Sequence, residues 1–295
     1  MKTVPVLSYG ADTGSLPMRL QAAVLRRLPP RWRRSALRLM YLPADLLDTV
    51  LGRREELVPP RGLLGVGAGD YKATGEQFLA FLREHCGLVP GSRVLDFGCG
   101  IGRMAVPMTR FLEDGTYDGV DVSAADMRWC RRHISRRYSN FRFHTSAVHH
   151  REYNPGGSLR ALDDRLPFED GSFDVVLASS LFTHLLTAET EHYLDEVARV
   201  LAEGGTAFVS FFLLNEESRA LIEAKACGFR FETSVGRAYM HDPRNPEGAV
   251  AYDEPFILDA FRSRGLTVKE PLLHGCWCCR ERFTSYQDIV VATRG

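Results

Sequence analysis

The chain of 295 residues is 45% hydrophobic and 25% charged, a composition typical of a folded globular protein and not of a disordered one. Its 37 basic and 37 acidic residues cancel, so it lacks the overall positive charge typical of nucleic-acid-binding proteins. We find no signal-peptide pattern and no run of 18 apolar residues, and therefore expect a cytoplasmic protein whose seven cysteines are reduced.

Residues 1–60 form a basic N-terminal extension, with ten Lys or Arg against five Asp or Glu. The pattern predicts two short amphipathic helices, broken at Pro29–Pro30 and again at Pro43. Such a segment fits a contact with a membrane surface or with an anionic substrate. A helical extension that packs on the domain with a solvated basic face fits equally. Both interpretations stay open, and they concern the arginines Arg26, Arg27, Arg31, Arg33, Arg34 and Arg38.

Residues 61–295 form the main domain, in which predicted strands and helices alternate. The pattern predicts helices at 75–88, 103–112, 123–134 and 188–201, and strands at 92–98, 116–123, 141–148, 173–180 and 205–214. The helix at 188–201 is expected to end through Gly204–Gly205. This alternation indicates an α/β fold with a parallel sheet and helices on both of its faces.

The tail breaks the alternation. Residues 257–273 read as a helix followed by a strand, and residues 285–295 as a final strand with no helix between them, so the last two strands should pair antiparallel. Residues 215–255 read as irregular and lie between the fifth strand and the last helix. An insertion of that length predicts a lid or an acceptor-binding region.

The stretch "VLDFGCGIGR" joins the first of these strands to a helix. Gly98, Gly100 and Gly102 permit close approach of a ligand to the backbone, but their spacing is tighter than the G-x-G-x-x-G of dinucleotide sites. Asp96 is suited to an ammonium group, and Asp121, at the end of the next strand, to the two hydroxyls of a ribose. A ligand with both groups and no phosphate between them is S-adenosylmethionine.

Four segments in this order resemble the motifs of class I S-adenosylmethionine-dependent methyltransferases: "VLDFGCGIGR", "YDGVDVS", "LPFEDGSFDVVLASSLFTHL" and "RVLAEGGTAFVS". The resemblance covers residues 70–295. It implies a seven-stranded, Rossmann-like, doubly wound sheet with an antiparallel last strand, to which the helical N-terminal extension is added. The "FTHL" after strand four and the C-terminal "SYQDIVV" are similar to a bacterial branch that acts on small molecules, often in glycan or natural-product pathways.

The resemblance also implies roles for individual residues. Asp96 would hold the methionine ammonium through water, the three glycines would form the turn, and Asp121 would hold the ribose. Val122 and Met127 would pack near the adenine, and Ser179 would line the mouth where the methyl group is donated. An acidic residue usually follows strand three, but here that position is Ala147, with Ser146 before it.

Transfer to a hydroxyl requires a base, and His184 in "FTHLL" is our candidate, because it follows strand four at the carboxyl edge of the sheet. A histidine there is also able to cap the next helix or line the pocket. His149 and His150, after strand three, are alternative bases. The candidate acceptor contacts are His149, Tyr239, His241, Tyr252 and Trp277, the last on a hairpin loop covering the pocket.

Several sequence features argue against other reactions. No N/D-P-P-Y follows strand four, which disfavours nucleobase amine methylation, and no acidic set suggests a metal there. Cys276, Cys278, Cys279 and His274 lack the spacing of a zinc site, so we expect no metal.

We therefore expect O-methylation of a small molecule, a natural product or a glycan or glycolipid hydroxyl, with S-adenosylhomocysteine as the product. The alternatives are N- or C-methylation and S-adenosylmethionine binding with other chemistry, such as cyclisation. A nicotinamide oxidoreductase is a more distant alternative. The sequence does not determine the oligomeric state.

Overall fold

The computed structural model describes residue 28 and residues 30–64, 70–151, 153–224 and 227–295. Seven strands form one sheet in the order β10-β11-β5-β4-β1-β2-β3. Six of them run in the same direction, and β11 runs in the opposite direction, antiparallel to both β10 and β5. This confirms the predicted fold. The strands are β1 (Arg93–Phe97), β2 (Thr116–Asp121), β3 (Phe141–Thr145), β4 (Phe173–Ala178), β5 (Leu201–Phe211), β10 (Leu266–Val268) and β11 (Asp288–Arg294).

The helices of the described residues are α1 (Pro30–Val50), α2 (Tyr71–Cys86), α3 (Ala105–Met108), α4 (Ala124–Cys130), α5 (Thr187–Val200), α6 (Glu216–Glu223) and α7 (Glu254–Arg262). The side chain of Asp70 caps α2 by accepting a hydrogen bond from Ala73 N at 2.8 Å. Gly87 ends α2 in the left-handed conformation, as its position predicts. The predicted cap of α4 is also present, since Asp126 N donates to Ser123 Oγ.

Apolar side chains of the central strands alternate between the two faces of the sheet and fill a core on each side. This arrangement requires strands that are apolar throughout, which is why their sequences were recognisable. One core contains Leu95, Val176 and Val209, and the other contains their chain neighbours Val94, Val175 and Phe208.

Helix α5 ends at Val200, four residues before the predicted stop at Gly204–Gly205. Strand β5 begins at once, because Leu201 pairs with Phe173. The register then shifts, so that Thr206 pairs with Val175. Gly204, at φ 74°, lies in the resulting bulge. The two glycines therefore form the bulge in β5 and do not end the helix.

The N-terminal extension contains one described helix, α1, which runs through Pro43. The predicted break at Pro43 is therefore wrong. Pro43 is exposed, so water reaches the backbone groups that its ring leaves unpaired. The helix predicted before Pro29 lies outside the described residues.

Residues 215–255 are more regular than predicted. Strands β7 (Thr233–Val235), β8 (Ala238–Met240) and β9 (Val250–Asp253) pair antiparallel, and β6 (Leu213–Leu214) joins them as the fourth strand of a small second sheet. Phe212 and Trp277 pack beneath this sheet with their ring centroids 5.2 Å apart. The insertion therefore has a small core of its own.

Candidate cofactor and acceptor site

The glycine loop lies between β1 and α3 at the carboxyl edge of the sheet. Gly98, Gly100 and Gly102 have φ values of 83°, 51° and 76°, which side-chain-bearing residues rarely adopt. A Cβ on Gly102 would lie 3.0 Å from Ile134 Cδ1, whereas a Cβ on Gly100 would meet nothing within 4 Å. Gly102 therefore allows close packing on the helices behind the loop, while Gly100 faces open space.

The carboxylate of Asp121 lies beside this open face. Its Oδ2 accepts a hydrogen bond from Gly100 N at 2.9 Å, and its Oδ1 accepts one from Ser123 N at 2.7 Å. Both bonds fix the carboxylate at the end of β2, next to the glycine loop. The carboxylate that the sequence predicts to hold a ribose therefore lies beside the glycine loop.

Asp96 lies deeper than Asp121 and is 1% exposed. Its Oδ2 accepts a hydrogen bond from Tyr117 Oη at 2.5 Å. Burial raises the pKa of Asp96 to about 7, against the lowering effect of the Tyr117 bond, and the charge of Asp121 adds to the rise. A cationic group brought near Asp96 would favour its ionised form.

The side chains predicted near the adenine surround the same edge. Met127 is fully buried, with its sulfur 3.9 Å from Cys99 Sγ of the glycine loop, and Val122 is half-buried. Ser146 N donates to the carbonyl of Asp121, and Ala147 is exposed.

The structure places a carboxylate near the position where the sequence lacks one. Asp164 is buried, and its Oδ2 accepts hydrogen bonds from Ser146 Oγ at 3.4 Å and from Tyr193 Oη at 3.1 Å. Burial raises the pKa of Asp164, against both of these bonds. This contact was not predictable from the sequence, because Asp164 lies 18 residues after Ser146.

A cavity of about 210 Å³ opens where β4 ends, and Ser179 and Ser180 line it. Ser180 adopts a left-handed φ of 58°, which is strained for a residue with a side chain. Ser210 Oγ accepts a hydrogen bond from Ser180 N at 2.7 Å, and Gln287 Oε1 accepts bonds from the hydroxyls of both serines. This network holds Ser180 in place and leaves the amide NH₂ of Gln287 without a partner among the described residues.

The opposite wall of the cavity is formed by α2 and the start of α3. Thr74 is buried, and its Oγ1 has no hydrogen-bond partner among the described residues. Arg103 lies over the ring of Tyr71 at 5.7 Å and pairs with no carboxylate of the described chain. Phe78, Met104 and Ile289 supply apolar surface. The cavity thus combines an apolar wall with free polar groups, as ligand sites do.

A second hollow, of about 260 Å³, lies at the opposite edge of the sheet and is lined by Asp170, Gly171, Glu203, Arg294 and Gly295. Arg294 Nη1 donates there to three carbonyls at the end of α5, and Asp170 pairs with Arg199. These charges already have partners, and the hollow lies away from the glycine loop.

His184 and His150 meet the insertion at one residue, Glu247. His184 Nδ1 lies 2.7 Å from the carbonyl oxygen of Glu247, which makes Nδ1 the donor, while His150 Nε2 lies 3.8 Å from the Glu247 carboxylate. His184 occupies the turn after Ser180 but does not line the cavity. The structure thus brings two predicted histidines together at the insertion.

The remaining predicted acceptor contacts do not converge on the cavity. His149 is exposed, and His241 accepts a hydrogen bond from Arg230 N and packs on Phe229. Tyr239 Oη donates to Asp253 Oδ2 at 3.1 Å. His149 lies in a loop, and the side chains of Tyr239 and His241 are already engaged with the protein.

Tyr252 and Trp277 are core residues, which corrects the sequence-based prediction. Tyr252 is fully buried, and its hydroxyl donates to the carbonyl of Leu185 at 2.7 Å. Trp277 is 2% exposed, and its indole nitrogen donates to Asp288 Oδ2 at 2.5 Å. Neither side chain has a surface to offer an acceptor.

The cysteine-rich segment contributes to packing in the described structure. Cys278 is buried, and His274 Nε2 lies 2.9 Å from Glu254 Oε2. This bond raises the pKa of His274. Within the described ranges, no three His, Cys, Asp or Glu side chains lie together in a metal-binding arrangement.

Sequence reasoning missed Thr74, Arg103, Ser210 and Gln287 as cavity residues. They lie on four separate segments, and only the fold brings them together. A partial signal existed for two of them: Arg103 directly follows the third glycine, and Gln287 belongs to "SYQDIVV".

Comparison with known proteins finds similarity in the part of the chain that contains the glycine loop and Asp121. Residues 94–205 match the sequence model of a methyltransferase domain. Phthiotriol/phenolphthiotriol dimycocerosates methyltransferase 1 of Mycobacterium ulcerans is 36% identical over 119 residues, 39% of this chain and 35% of that protein. A fatty-acid O-methyltransferase of Mycolicibacterium smegmatis is 33% identical over 119 residues, 40% of this chain and 36% of that protein. The chain thus matches these curated relatives over about a third of their length.

Among solved structures, the PH0226 protein of Pyrococcus horikoshii OT3 superposes with a TM-score of 0.54 at 18% identity, over 79% of this chain and 95% of that one. This likeness concerns the fold. The stretch that matches the methyltransferase-domain model, residues 94–205, contains both the glycine loop and Asp121.

Proposed function

We propose that the protein transfers a methyl group from S-adenosylmethionine to a hydroxyl group of a small, largely apolar acceptor. The observation that carries this proposal is the arrangement at the carboxyl edge of the sheet. The open face at Gly100, beside the carboxylate of Asp121, lies on the same edge as the cavity that Ser179 lines.

The residues present fit the cofactor. A Cβ on Gly100 would project into free space, and Asp121 fixes its carboxylate beside that space. Asp121 would hold the ribose, Asp96 the ammonium group through water, and half-buried Val122 the adenine ring, whereas Met127 is fully buried and has no surface to offer the cofactor. When bound, the cofactor supplies an electrophilic methyl group on a sulfonium. The chain's own task is to exclude water and to orient the acceptor oxygen, and such positioning is worth about 7–11 kcal/mol.

The cavity favours an acceptor with an apolar body and a few polar groups. Phe78, Met104 and Ile289 supply apolar surface, while Thr74 Oγ1 and the Gln287 amide offer unpaired hydrogen-bonding atoms. The names of two relatives support an apolar acceptor, since one refers to phthiotriol dimycocerosates and the other to a fatty acid. An alcohol on a lipid or a natural product fits the cavity and the first of these names, whereas the second names an acid.

His184 is our proposed general base. Its Nδ1 is committed to the carbonyl of Glu247, so Nε2 carries the lone pair. Nε2 has no partner among the described residues. His184 stands in the turn that follows Ser179 and Ser180 and does not line the cavity, so the acceptor would have to extend past the two serines for Nε2 to take its proton.

The direct test measures S-adenosylhomocysteine with and without candidate acceptors: a long-chain secondary alcohol, a free fatty acid and a long-chain amine. We expect product only with an acceptor, and a methyl ether from the alcohol. Asp121→Asn should lose most cofactor affinity in calorimetry. Asp118→Asn is the matched control, because this carboxylate lies on the same strand but binds Arg142 and His144.

The results separate the alternatives. Methylation of the amine alone would replace O-methylation by N-methylation, and a methyl group found on carbon would indicate C-methylation. Cofactor binding without S-adenosylhomocysteine for any acceptor would favour a cofactor-binding protein with other chemistry. Equal cofactor affinity in Asp121→Asn and the wild type would contradict the assigned site.

A further inference from the structure

Helix α1 presents an apolar face to solvent. Among the described residues, eight of the twelve exposed large apolar side chains belong to α1 or to Leu51 directly after it. Trp32 is 56% exposed, Leu39 73% and Val50 81%. At about 100° per residue, Leu39, Leu42, Leu46 and Val50 fall within about 80° of arc. They therefore form one continuous stripe, which we call the α1 apolar stripe.

The opposite face of α1 is the one that packs on the protein. Leu37 is buried there, and Asp45 accepts hydrogen bonds from Arg61 N at 2.9 Å and Gly62 N at 3.3 Å. Asp48 forms an ion pair with Arg61 at 2.8 Å. The helix is thus anchored through this face, which leaves the α1 apolar stripe pointing to solvent.

Charge distinguishes this surface from an ordinary exposed helix. The only carboxylates of α1 are Asp45 and Asp48, and both are held on the packed face by Arg61 and Gly62. Arg38 is exposed on the helix, and the sequence places Arg31, Arg33 and Arg34 beside it. Residues 1–27 add four basic side chains against one acidic residue. The sequence on the N-terminal side of the stripe therefore carries a net positive charge.

We propose that α1 is a membrane-surface helix, whose apolar stripe enters the interfacial region of an anionic lipid bilayer while the arginines contact lipid headgroups. An exposed apolar face with basic flanks is the pattern of helices that lie in a membrane interface. Basic residues near an anionic surface add to the attraction. None of the described helices is long and apolar enough to cross a bilayer, so α1 lies on the surface.

This surface site goes beyond the proposed reaction and does not depend on it. The segment after α1 leads to the cavity, because Glu55 pairs with Lys72, two residues before the cavity residue Thr74. A bilayer bound at α1 would hold the protein where apolar acceptors are concentrated.

The chain carries a suitable probe. Of its three tryptophans, Trp32 is exposed, while Trp129 and Trp277 are buried. Full-length protein is mixed with vesicles of phosphatidylglycerol and phosphatidylcholine, with pure phosphatidylcholine vesicles, or with vesicles of brominated lipid. We expect a shift of the emission to shorter wavelength on anionic vesicles, quenching by brominated chains, and loss of both signals in Trp32→Phe.

Binding is measured in parallel by co-sedimentation with the vesicles. Leu39→Ser with Leu46→Ser should weaken binding by about tenfold or more. High salt should weaken it as well. Val89→Ser is the matched control, because Val89 is 56% exposed but lies outside α1, and it should bind like the wild type.

Three results would overturn the proposal. The first is wild-type affinity in the double-serine variant. The second is an emission shift that grows with protein concentration without vesicles, which would show that a second copy covers the stripe. The third is a short-wavelength Trp32 emission in dilute, vesicle-free protein, which would show that residues 1–27 already cover it. Methyl transfer to a detergent-dispersed acceptor should persist in every case.

Discussion

At the scale of single residues, buried Asp96 makes the stability of the protein depend on pH. Its pKa is about 7 in the folded protein, against an ordinary value of 3.8. Between about pH 4 and pH 7 the folded state keeps a proton that the unfolded chain has lost. Asp96 therefore destabilises the fold progressively as the pH rises through this window, by up to about 4 kcal/mol.

The test replaces Asp96 by Asn and follows urea unfolding at several pH values. The variant should gain stability relative to the wild type as the pH rises from about 4 to about 7. Asp174→Asn is the control of opposite sign. Burial acts to raise the pKa of Asp174, but hydrogen bonds from Arg93 outweigh it and lower the pKa. Removing Asp174 should therefore cost stability above its ordinary pKa. Parallel curves for Asp96→Asn and the wild type would contradict the buried, protonated Asp96.

His184 allows a second test at this scale. If Nε2 is the base, His184→Ala should keep its cofactor affinity and lose about 10²–10⁴ in kcat. His184→Asn separates this role from a structural one, because the Asn amide is able to donate to the Glu247 carbonyl as Nδ1 does. An Asn variant with near-wild-type turnover would show that His184 only holds the insertion. His149→Ala, at an exposed histidine on the same edge, should have little effect.

At the scale of elements, the docking of α1 depends on one glycine. A Cβ on Gly62 would lie 2.7 Å from the Cα of Arg38, closer than packing allows. Gly62→Ala should therefore separate α1 from the residues 61–63 that anchor it. Hydrogen exchange should become faster along α1 and stay unchanged in the central sheet. Gly91→Ala is the control, since a Cβ there meets nothing within 4 Å. Unchanged protection of α1 in Gly62→Ala would contradict this account.

The elements also show how far the sequence determines this fold. Strands β1 to β5 were predictable because both of their faces are buried, which forces apolar runs. The insertion was not, since strands of three or four residues such as β7 and β8 are too short for a periodic pattern. The residues of the site also fall into a predictable and an unpredictable group. Asp96, Asp121 and the glycines belong to neighbouring sequence motifs and were predictable. Thr74 and Gln287 are far apart in sequence and come together only in the folded chain. Tyr252 was misassigned because a tyrosine in a core strand and one in a binding loop look alike in sequence.

At the scale of the whole molecule, the position of β11 inside the sheet means that the sheet stays incomplete until this late strand has been made. β11 lies between β5 and β10, and its first residue, Asp288, accepts hydrogen bonds from Leu213 N and Gly275 N. Gln287, just before it, forms part of the cavity wall. A ribosome-bound chain that has not yet released β11 already contains the glycine loop and Asp121, but it has a gap in the sheet and no finished cavity. The proposed methyl transfer therefore requires that β11 has entered the sheet and that Gln287 has taken its place in the cavity wall.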